Sequence, residues 1–334
     1  MSRLINFPKH ELVDPYGRVI NYLRLSVTDR CDLRCNYCMP KGFNGFDVPA
    51  EWLTFEEIER IARAFANFGV SHIRITGGEP LLRKDLASLV SRIAILPGIS
   101  DISLSTNATQ LAKHAESLKS AGLKRLNVSL DSLDSERFFN VTGSNSLNEV
   151  LLGLSVAKQV GLTPIKINTV VMRDTHDKEI QALVEYCIGQ GFILRFIEVM
   201  PMGNTGQGMG WVDLRRIHDM IRTRYGLVEA NSEDNKGPAR YLTSSDKKVS
   251  IGFITPMSQH FCESCNRVRL SVTGTLYLCL GQENKVELGN MLRAGATDVE
   301  LQQAIIQAIT MKPQGHDFLD SPQKIIRIMA KTGG

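Results

Sequence analysis

Three cysteines in one short stretch constrain this chain more than any other feature. Cys31, Cys35 and Cys38, here called the first triplet, are separated by three residues and then by two. Thiolates are soft ligands, and three of them can hold three corners of a four-iron cluster, which leaves one iron open to a small molecule. The alternatives are a zinc site or a disulfide with one free thiol, but the stretch has no histidine and the next cysteine is Cys187. The spacing therefore favours an iron–sulfur cluster.

The cysteine count and the overall charge narrow the class of protein. The chain has seven cysteines, an odd number, and its first residues contain no apolar leader, which argues against a disulfide framework. Cys187 stands alone and is expected to be a small buried side chain in a helix. The net charge is +4, from 39 Lys and Arg against 35 Asp and Glu, so no general attraction to nucleic acid or to membranes is expected. The sequence predicts a cytoplasmic protein.

Alternating strand and helix patterns predict a parallel sheet. Six strands are expected at 21–28, 70–76, 99–106, 125–130, 165–171 and 193–200, with helices between them. Capping boxes at 54–57 and 146–149 are expected to begin two of these helices. No Gly-x-Gly-x-x-Gly motif follows the first strand, which favours a barrel winding over a dinucleotide-binding sheet. The predicted fold is α/β, an incomplete (β/α)6 TIM-type barrel with a C-terminal β-rich extension that covers the open side.

The pattern changes after residue 200. We therefore predict a partial barrel at 1–200 and a C-terminal domain at 201–334. The glycine-rich stretch 202–211 is expected to be a flexible junction. Hairpins are expected within 239–255 and 267–280, followed by helices at 286–294 and 298–310. The predicted second domain thus contains a β-rich part, two helices and a tail that ends in Gly333-Gly334.

The C-terminal part contains a second triplet. It consists of Cys262, Cys265 and Cys279, which fall on a turn and on the far strand of a predicted hairpin. A zinc ribbon with His260 as the fourth ligand is one interpretation. Arg267 and Arg269 alternate with apolar residues directly after the pair, so both guanidinium groups are expected on one strand face beside the metal. Two fixed cations next to an open iron suit an anionic ligand, which favours a second iron–sulfur cluster.

These motifs carry a resemblance. The Cys-x-x-x-Cys-x-x-Cys spacing with an aromatic Tyr37 resembles the radical S-adenosylmethionine (SAM) superfamily. The second triplet, the Cys-Asn-Arg-Val-Arg-Leu run at 265–270 and the Gly-Gly end resemble, within it, the GTP 3′,8-cyclase family over nearly the whole chain. The resemblance implies two 4Fe-4S clusters, one of which binds SAM while the other binds the guanine of GTP. It also implies a lyase that forms 3′,8-cyclo-7,8-dihydroguanosine 5′-triphosphate in the first step of molybdopterin (molybdenum cofactor) biosynthesis.

The resemblance implies roles for individual residues. The SAM contacts would be Tyr37, Gly78, Ser129 and Met200, and the GTP contacts would be Arg24, Arg74, Thr106, Lys166, Arg267, Val268 and Arg269. Arg267, Arg269, Gly333 and Gly334 would be catalytic, the arginines by orienting the substrate and quenching a radical. The strand cations support this, because charges inside parallel strands are costly unless a buried polyanion pairs with them. Ala108 departs from the glycine usual in the family, and a positive φ there would cost about 1 kcal/mol.

The resemblance also implies partners. They are GTP, a flavodoxin- or ferredoxin-like one-electron donor, cyclic pyranopterin monophosphate synthase as the next enzyme, and a second copy of the chain in a homodimer. The nearest alternative is a radical SAM enzyme that modifies peptides, although such enzymes carry more C-terminal cysteines. A zinc-containing binding module on an inactive barrel is the alternative from another class.

Overall fold

A computed structural model describes residues 11–231 and 237–332. The strands are β1 Tyr22–Ser26, β2 His72–Thr76, β3 Asp101–Thr106, β4 Arg125–Ser129, β5 Ile165–Val171, β6 Ile193–Glu198, β7 Val228–Glu229, β8 Ala239–Thr243, β9 Ser250–Ile254, β10 Arg267–Leu270, β11 Thr275–Tyr277 and β12 Lys285–Glu287. The helices are α1 Phe55–Asn67, α2 Leu86–Ala94, α3 Leu111–Ser120, α4 Ser135–Thr142, α5 Leu147–Gln159, α6 Asp177–Gln190, α7 Gly203–Met209, α8 Arg215–Tyr225, α9 Leu288–Arg293, α10 Asp298–Thr310 and α11 Met329–Thr332.

All of these strands belong to one sheet, whose order is β12-β11-β10-β1-β2-β3-β4-β5-β6-β9-β8-β7. The run from β10 to β9 is parallel, and antiparallel strands lie at each edge. The six predicted parallel strands are confirmed, in an open α/β sheet of the TIM-barrel type. The C-terminal strands β9 and β10 extend this sheet at its two sides, so the extension is continuous with the barrel wall.

The strands present two different faces. Leu23, Leu25, Ile73 and Ile75 on β1 and β2 are fully buried against the surrounding helices. Burying each such side chain contributes about 1.5–3 kcal/mol. The alternate residues of the same strands, such as Arg24, point the opposite way and line an interior cavity. Alternation along each strand therefore builds the core and the site at the same time.

Local predictions were confirmed in some places and wrong in others. The capping box before α1 is present, with Thr54 and Glu57 bonded reciprocally at 2.8 and 3.2 Å. The predicted box at 146–149 is wrong: Ser146 occupies the N-cap position of α5, but its side chain makes no capping hydrogen bond and its hydroxyl instead accepts a bond from Ser144 at 2.9 Å. The predicted flexible junction at 202–211 contains helix α7, whose Gly206 packs against the Met200 carbonyl. Cys187 is buried in α6, as predicted.

None of the helices in the described parts of the chain is both long enough and apolar enough to span a membrane.

Candidate active site

One cavity of about 1050 Å³ lies inside the sheet and is lined by all six cysteines of the two triplets. The first triplet follows the carboxyl end of β1. Cys262 and Cys265 precede β10, which runs parallel to β1, and Cys279 follows β11, which runs back. The two triplets therefore lie at opposite ends of the strands and face the same cavity.

The loop that carries the first triplet is held by its backbone. Arg34 and Asn36 donate their amides to the carbonyls at the end of α4, at 2.8 and 3.0 Å, and Cys38 donates to the Cys35 carbonyl at 3.0 Å. Asp32 accepts bonds from the side chains that follow β3, at 2.7 and 2.6 Å. No cysteine of the loop forms a disulfide. Three soft donors on one fixed loop, open to a cavity, fit an iron–sulfur cluster with a free iron.

The turn after β3 requires an unusual backbone at Ala108. Its φ is +64°, in the left-handed region where a methyl group is strained. The turn places Asn107 and Thr109 so that both side chains bond to Asp32. Gly153 of α5 lies so close that a Cβ there would be 2.7 Å from the Ala108 carbonyl oxygen. The strained turn therefore supports the first triplet and is itself enclosed by a neighbouring helix.

Glycines after β2 allow a second close approach. A Cβ on Gly78 would lie 2.2 Å from the carbonyl oxygen of Arg30, which directly precedes the first triplet. Gly77 has a φ of +153° and approaches the Thr28 carbonyl similarly. This end of the cavity also contains Ser129 at the end of β4 and Met200 after β6, together with Thr106 at the end of β3, which is a predicted GTP contact. The predicted SAM contacts thus lie together at the carboxyl end of the strands.

Buried carboxyl groups surround this end. Asp131 accepts the Tyr37 hydroxyl at 2.8 Å and the Val170 amide at 2.8 Å, and burial raises its pKa to about 6. Glu79 accepts bonds from Thr106 and from two backbone amides, and burial raises its pKa to about 7. Both groups have capacity for a cationic ligand, because an opposite charge nearby favours the ionised carboxylate.

Cations line the interior of the cavity. Arg24 is paired in register with Arg74 on β2 and with Arg269 on β10, so the three guanidinium groups form one row. Burial, followed by repulsion from Arg267, lowers the pKa of Arg269 to about 9, and burial lowers that of Arg74 to about 10. Burial and the neighbouring arginines lower the pKa of Lys166 to about 8. Such crowding of like charges is typical of a site that binds a polyanion.

Sequence reasoning missed several lining residues. Arg195 on β6 and Arg125 on β4 also face the cavity, and Arg195 donates to Asn127. Both are charged residues within apolar strands, which is the pattern from which the other strand cations were predicted. Tyr22 was missed too: its hydroxyl has no hydrogen-bond partner among the described residues, and its ring lies 5.4 and 5.6 Å from the Arg74 and Arg267 guanidinium carbons.

The second triplet lies in a more cationic setting. Arg18 donates to the Cys262 carbonyl at 2.7 Å and to the Pro313 and Gln314 carbonyls at 2.6 and 2.7 Å. Burial acts to raise the pKa of Cys265, but the charges of Lys312 and Arg267 outweigh it, so the net pKa lies below its ordinary value. Three soft thiol donors on one cavity wall, beside fixed cations, fit a second cluster of the kind suggested for the first.

Some predicted residues lie elsewhere. Val268 is 1% exposed and packs in the hydrophobic core, not on the cavity wall. His260 is exposed and lies 6.0 Å from the His316 ring, and the described residues contain no group of His, Cys, Asp or Glu arranged around a single metal ion. Gly333 and Gly334 lie outside the described residues. The preceding Thr332 carbonyl accepts a bond from Arg269 at 3.5 Å, so the described tail reaches the cavity.

Comparisons with known proteins agree with this geometry. The Radical SAM superfamily profile matches residues 25–187, and the Molybdenum Cofactor Synthesis C profile matches residues 192–318. In fold, the chain is similar to the SAM-bound crystal structure of Streptococcus suis SuiB, with a TM-score of 0.62 at 17% identity, covering 86% of this chain and 68% of that one. The fold and site thus define a radical SAM protein.

Full-length relatives define the family more narrowly. The chain is 45% identical to a GTP 3′,8-cyclase from Marinobacter nauticus, over 98% of this chain and 100% of the relative. It is 44% identical to a GTP 3′,8-cyclase from Hydrogenovibrio crunogenus, over 97% and 99% of the two chains. The chain belongs to the GTP 3′,8-cyclase family.

Proposed function

We propose that this chain is a radical SAM lyase that converts GTP to 3′,8-cyclo-7,8-dihydroguanosine 5′-triphosphate, the first step of molybdopterin biosynthesis. The observation that carries the proposal is the division of one cavity into two unlike halves. One half has three thiols, carboxyl groups and uncharged polar groups, and the other has thiols and a dense set of Arg and Lys side chains. SAM is a cation with an amino-acid end, whereas GTP carries about four negative charges at neutral pH. The halves match these two ligands.

The first triplet would hold a 4Fe-4S cluster whose free iron binds the methionyl end of SAM. When bound, this pair supplies the 5′-deoxyadenosyl radical that abstracts the ribose 3′ hydrogen of GTP. The chain's own residues orient the cofactor: Tyr37, Gly78, Ser129 and Met200 contact SAM, and Glu79 and Asp131 stabilise the positive charge. The tight contact between Gly78 and the loop leaves no room for a side chain at this position.

The cationic half would bind GTP. Arg24, Arg74 and Lys166 neutralise the triphosphate, with Arg125 and Arg195 as further cations, and Thr106 lies beside the ribose. Fixing both ligands in one enclosed cavity places the reacting atoms close together, which removes much of the entropic barrier. The second triplet would hold a second 4Fe-4S cluster that binds the guanine. Arg267 and Arg269 would orient the nucleotide beside it and take part in quenching the final radical, for which the one-electron donor supplies the electron, with the Val268 backbone nearby.

Further parts of the proposal concern the whole protein. Gly333 and Gly334 would extend the tail into the cavity, since the residues before them already contact Arg269. The barrel at 1–200 and the domain at 201–334 would act as one enzyme, in the cytoplasm and as a homodimer. A flavodoxin- or ferredoxin-like protein would supply electrons, and cyclic pyranopterin monophosphate synthase would use the product.

Anaerobic reconstitution tests the proposal. The protein with iron, sulfide, SAM and a reductant should bind about eight irons per chain and form 5′-deoxyadenosine together with the cyclised nucleotide when GTP is added. Deoxyadenosine formation that does not respond to GTP would refute the assigned substrate. A single bound zinc in place of the second set of irons would refute the second cluster.

A further inference from the structure

Lys312 is a buried lysine that the proposed reaction does not use. It follows α10 and is only 3% exposed. Its Nζ donates to the Leu278 carbonyl at 2.6 Å and the Arg267 carbonyl at 3.1 Å, and it lies 3.8 Å from the Cys265 Sγ. Across residues 11–231 and 237–332, the ion pairs found do not include Lys312. This ammonium group is therefore buried with two carbonyls and a thiol.

Such burial requires compensation. Removing an ammonium group from water costs several kcal/mol unless an anion or a full set of hydrogen bonds replaces the water. The two carbonyls supply hydrogen bonds but no net charge. The groups within reach that become anionic on binding a metal are the thiols of the second triplet. The position of Lys312 is thus explained if those thiols are thiolates in the working protein.

The acceptors of Lys312 also link the two segments that carry the second triplet. Arg267 begins β10, two residues after Cys265, and Leu278 directly precedes Cys279. One side chain therefore joins the turn and the returning strand of the hairpin on the side where the thiols lie. Loss of Lys312 would remove a positive charge and also the cross-link between these segments.

We propose that Lys312 is a positioning residue of the second triplet, which holds its two segments together and sets the reduction potential of the metal group bound there. The identity of that group as an iron–sulfur cluster rests on the proposed function. A fixed cation and a hydrogen bond near the ligand sulfurs stabilise the reduced, more negative form of a cluster. Lys312 therefore makes the second site easier to reduce, while the first triplet is unaffected.

The test compares Lys312→Met with Lys312→Arg in the full-length chain. Methionine keeps the length and apolar stem but removes the charge, and arginine keeps the charge. Lys119→Met is the matched control, because Lys119 also donates to a carbonyl, that of Gly161 at 2.7 Å, but is exposed on α3. Each protein is reconstituted anaerobically, its iron is counted, and the potential of each cluster is followed by electron paramagnetic resonance during a redox titration. The signal that shifts on adding GTP marks the second site.

In Lys312→Met the equilibrium constant for one-electron reduction of the second site should fall about tenfold, which is 59 mV, and Lys312→Arg should recover most of this change. Loss of the second cluster in the methionine variant alone, with the first signal kept as proof of folding, equally supports the proposal. The proposal is overturned if Lys312→Met keeps its full iron content and an unchanged potential at the second site. It is also overturned if Lys312→Met and Lys312→Arg lose the second cluster equally. A parent protein without a second signal would instead refute the second cluster, before any variant is compared.

Discussion

The two triplets use the same ligand atoms in opposite surroundings. The first is contained in one loop among buried carboxyl groups, and burial together with the Glu79 charge raises the pKa of Cys31 to about 12. The second is divided between two segments and lies among cations. There the pKa of Cys265 is lowered despite its burial, whereas burial still raises the pKa of Cys262 and of Cys279. Charge environment, and not the cysteines, therefore distinguishes the two ends of the cavity.

This difference in charge explains how one cavity can accept two ligands and keep each of them at its own end. A ligand with a positive charge gains from Glu79 and Asp131 at the first end and is repelled by the arginine row. A triphosphate is attracted by the arginine row and repelled by the two carboxylates. Repulsion of the wrong ligand contributes to specificity as well as attraction of the right one. The same argument assigns separate, measurable roles to the two triplets.

The largest expected effect comes from removing one thiol at each end. Cys31→Ala should abolish 5′-deoxyadenosine formation, because the loop then lacks a ligand for the cluster that activates SAM. Cys279→Ala should keep SAM cleavage and lose cyclisation of GTP. Both products can be measured by chromatography in one anaerobic assay.

Cys187→Ala is the control for this pair, since Cys187 is also buried but faces the core. It should keep both activities. Equal loss of deoxyadenosine in Cys31→Ala and Cys279→Ala would contradict the separation of roles between the two ends.

The next effect tests the close contact at the first end. In Gly78→Ala the added methyl group would lie 2.2 Å from the Arg30 carbonyl and 2.8 Å from the Asp29 carbonyl. Relieving such overlap costs about 1–3 kcal/mol, so we expect SAM affinity, measured by calorimetry, to fall at least about tenfold while GTP affinity changes little.

Gly189→Ala is the matched control, because nothing lies within 4 Å of its added methyl group. Gly189 lies in α6, where replacing glycine by alanine should raise the free energy of unfolding by about 0.5–1 kcal/mol. A similar loss of SAM affinity in both variants would show that the Gly78 contact has no special role.

The sequence was sufficient for the parts of the site that depend on local spacing. The first triplet needs only one loop, and the strand cations follow from polar residues at alternate positions of apolar strands. Arg195 was available to the same reasoning and was overlooked. Lys312 and Arg18 were not predictable, because their acceptors are backbone carbonyls of distant segments. Helix α7 was missed for another reason: packing of Gly206 against the Met200 carbonyl overrides the low helix propensity of glycine.

A moderate effect is expected from pH in the cationic half. The pKa of Lys166 is lowered to about 8 by burial and by Arg195 and Arg125. The charged form binds the triphosphate, so GTP affinity should fall as pH rises through about 8, by at most tenfold per unit for this one proton. Equilibrium dialysis without reductant measures it. Lys166→Arg should remove the decline near pH 8 and leave a later fall near pH 9, where Arg269 titrates, and the same decline near pH 8 in both proteins would exclude Lys166 as its source.

The smallest effect concerns the turn that supports the first triplet. Ala108→Gly loses a buried methyl group and gains chain entropy when unfolded, but it relieves a left-handed backbone that costs about 1–2 kcal/mol. Ala115 lies in α3 and is equally buried. Ala115→Gly therefore also loses a buried methyl group and gains chain entropy when unfolded, but it relieves no backbone strain. Urea unfolding should therefore show Ala108→Gly to be more stable than Ala115→Gly by about 1–2 kcal/mol, with SAM cleavage unchanged in the former. Equal destabilisation would mean that the turn is not strained at Ala108, and that the hydrogen bonds from Asn107 and Thr109 to Asp32 hold the loop at no backbone cost.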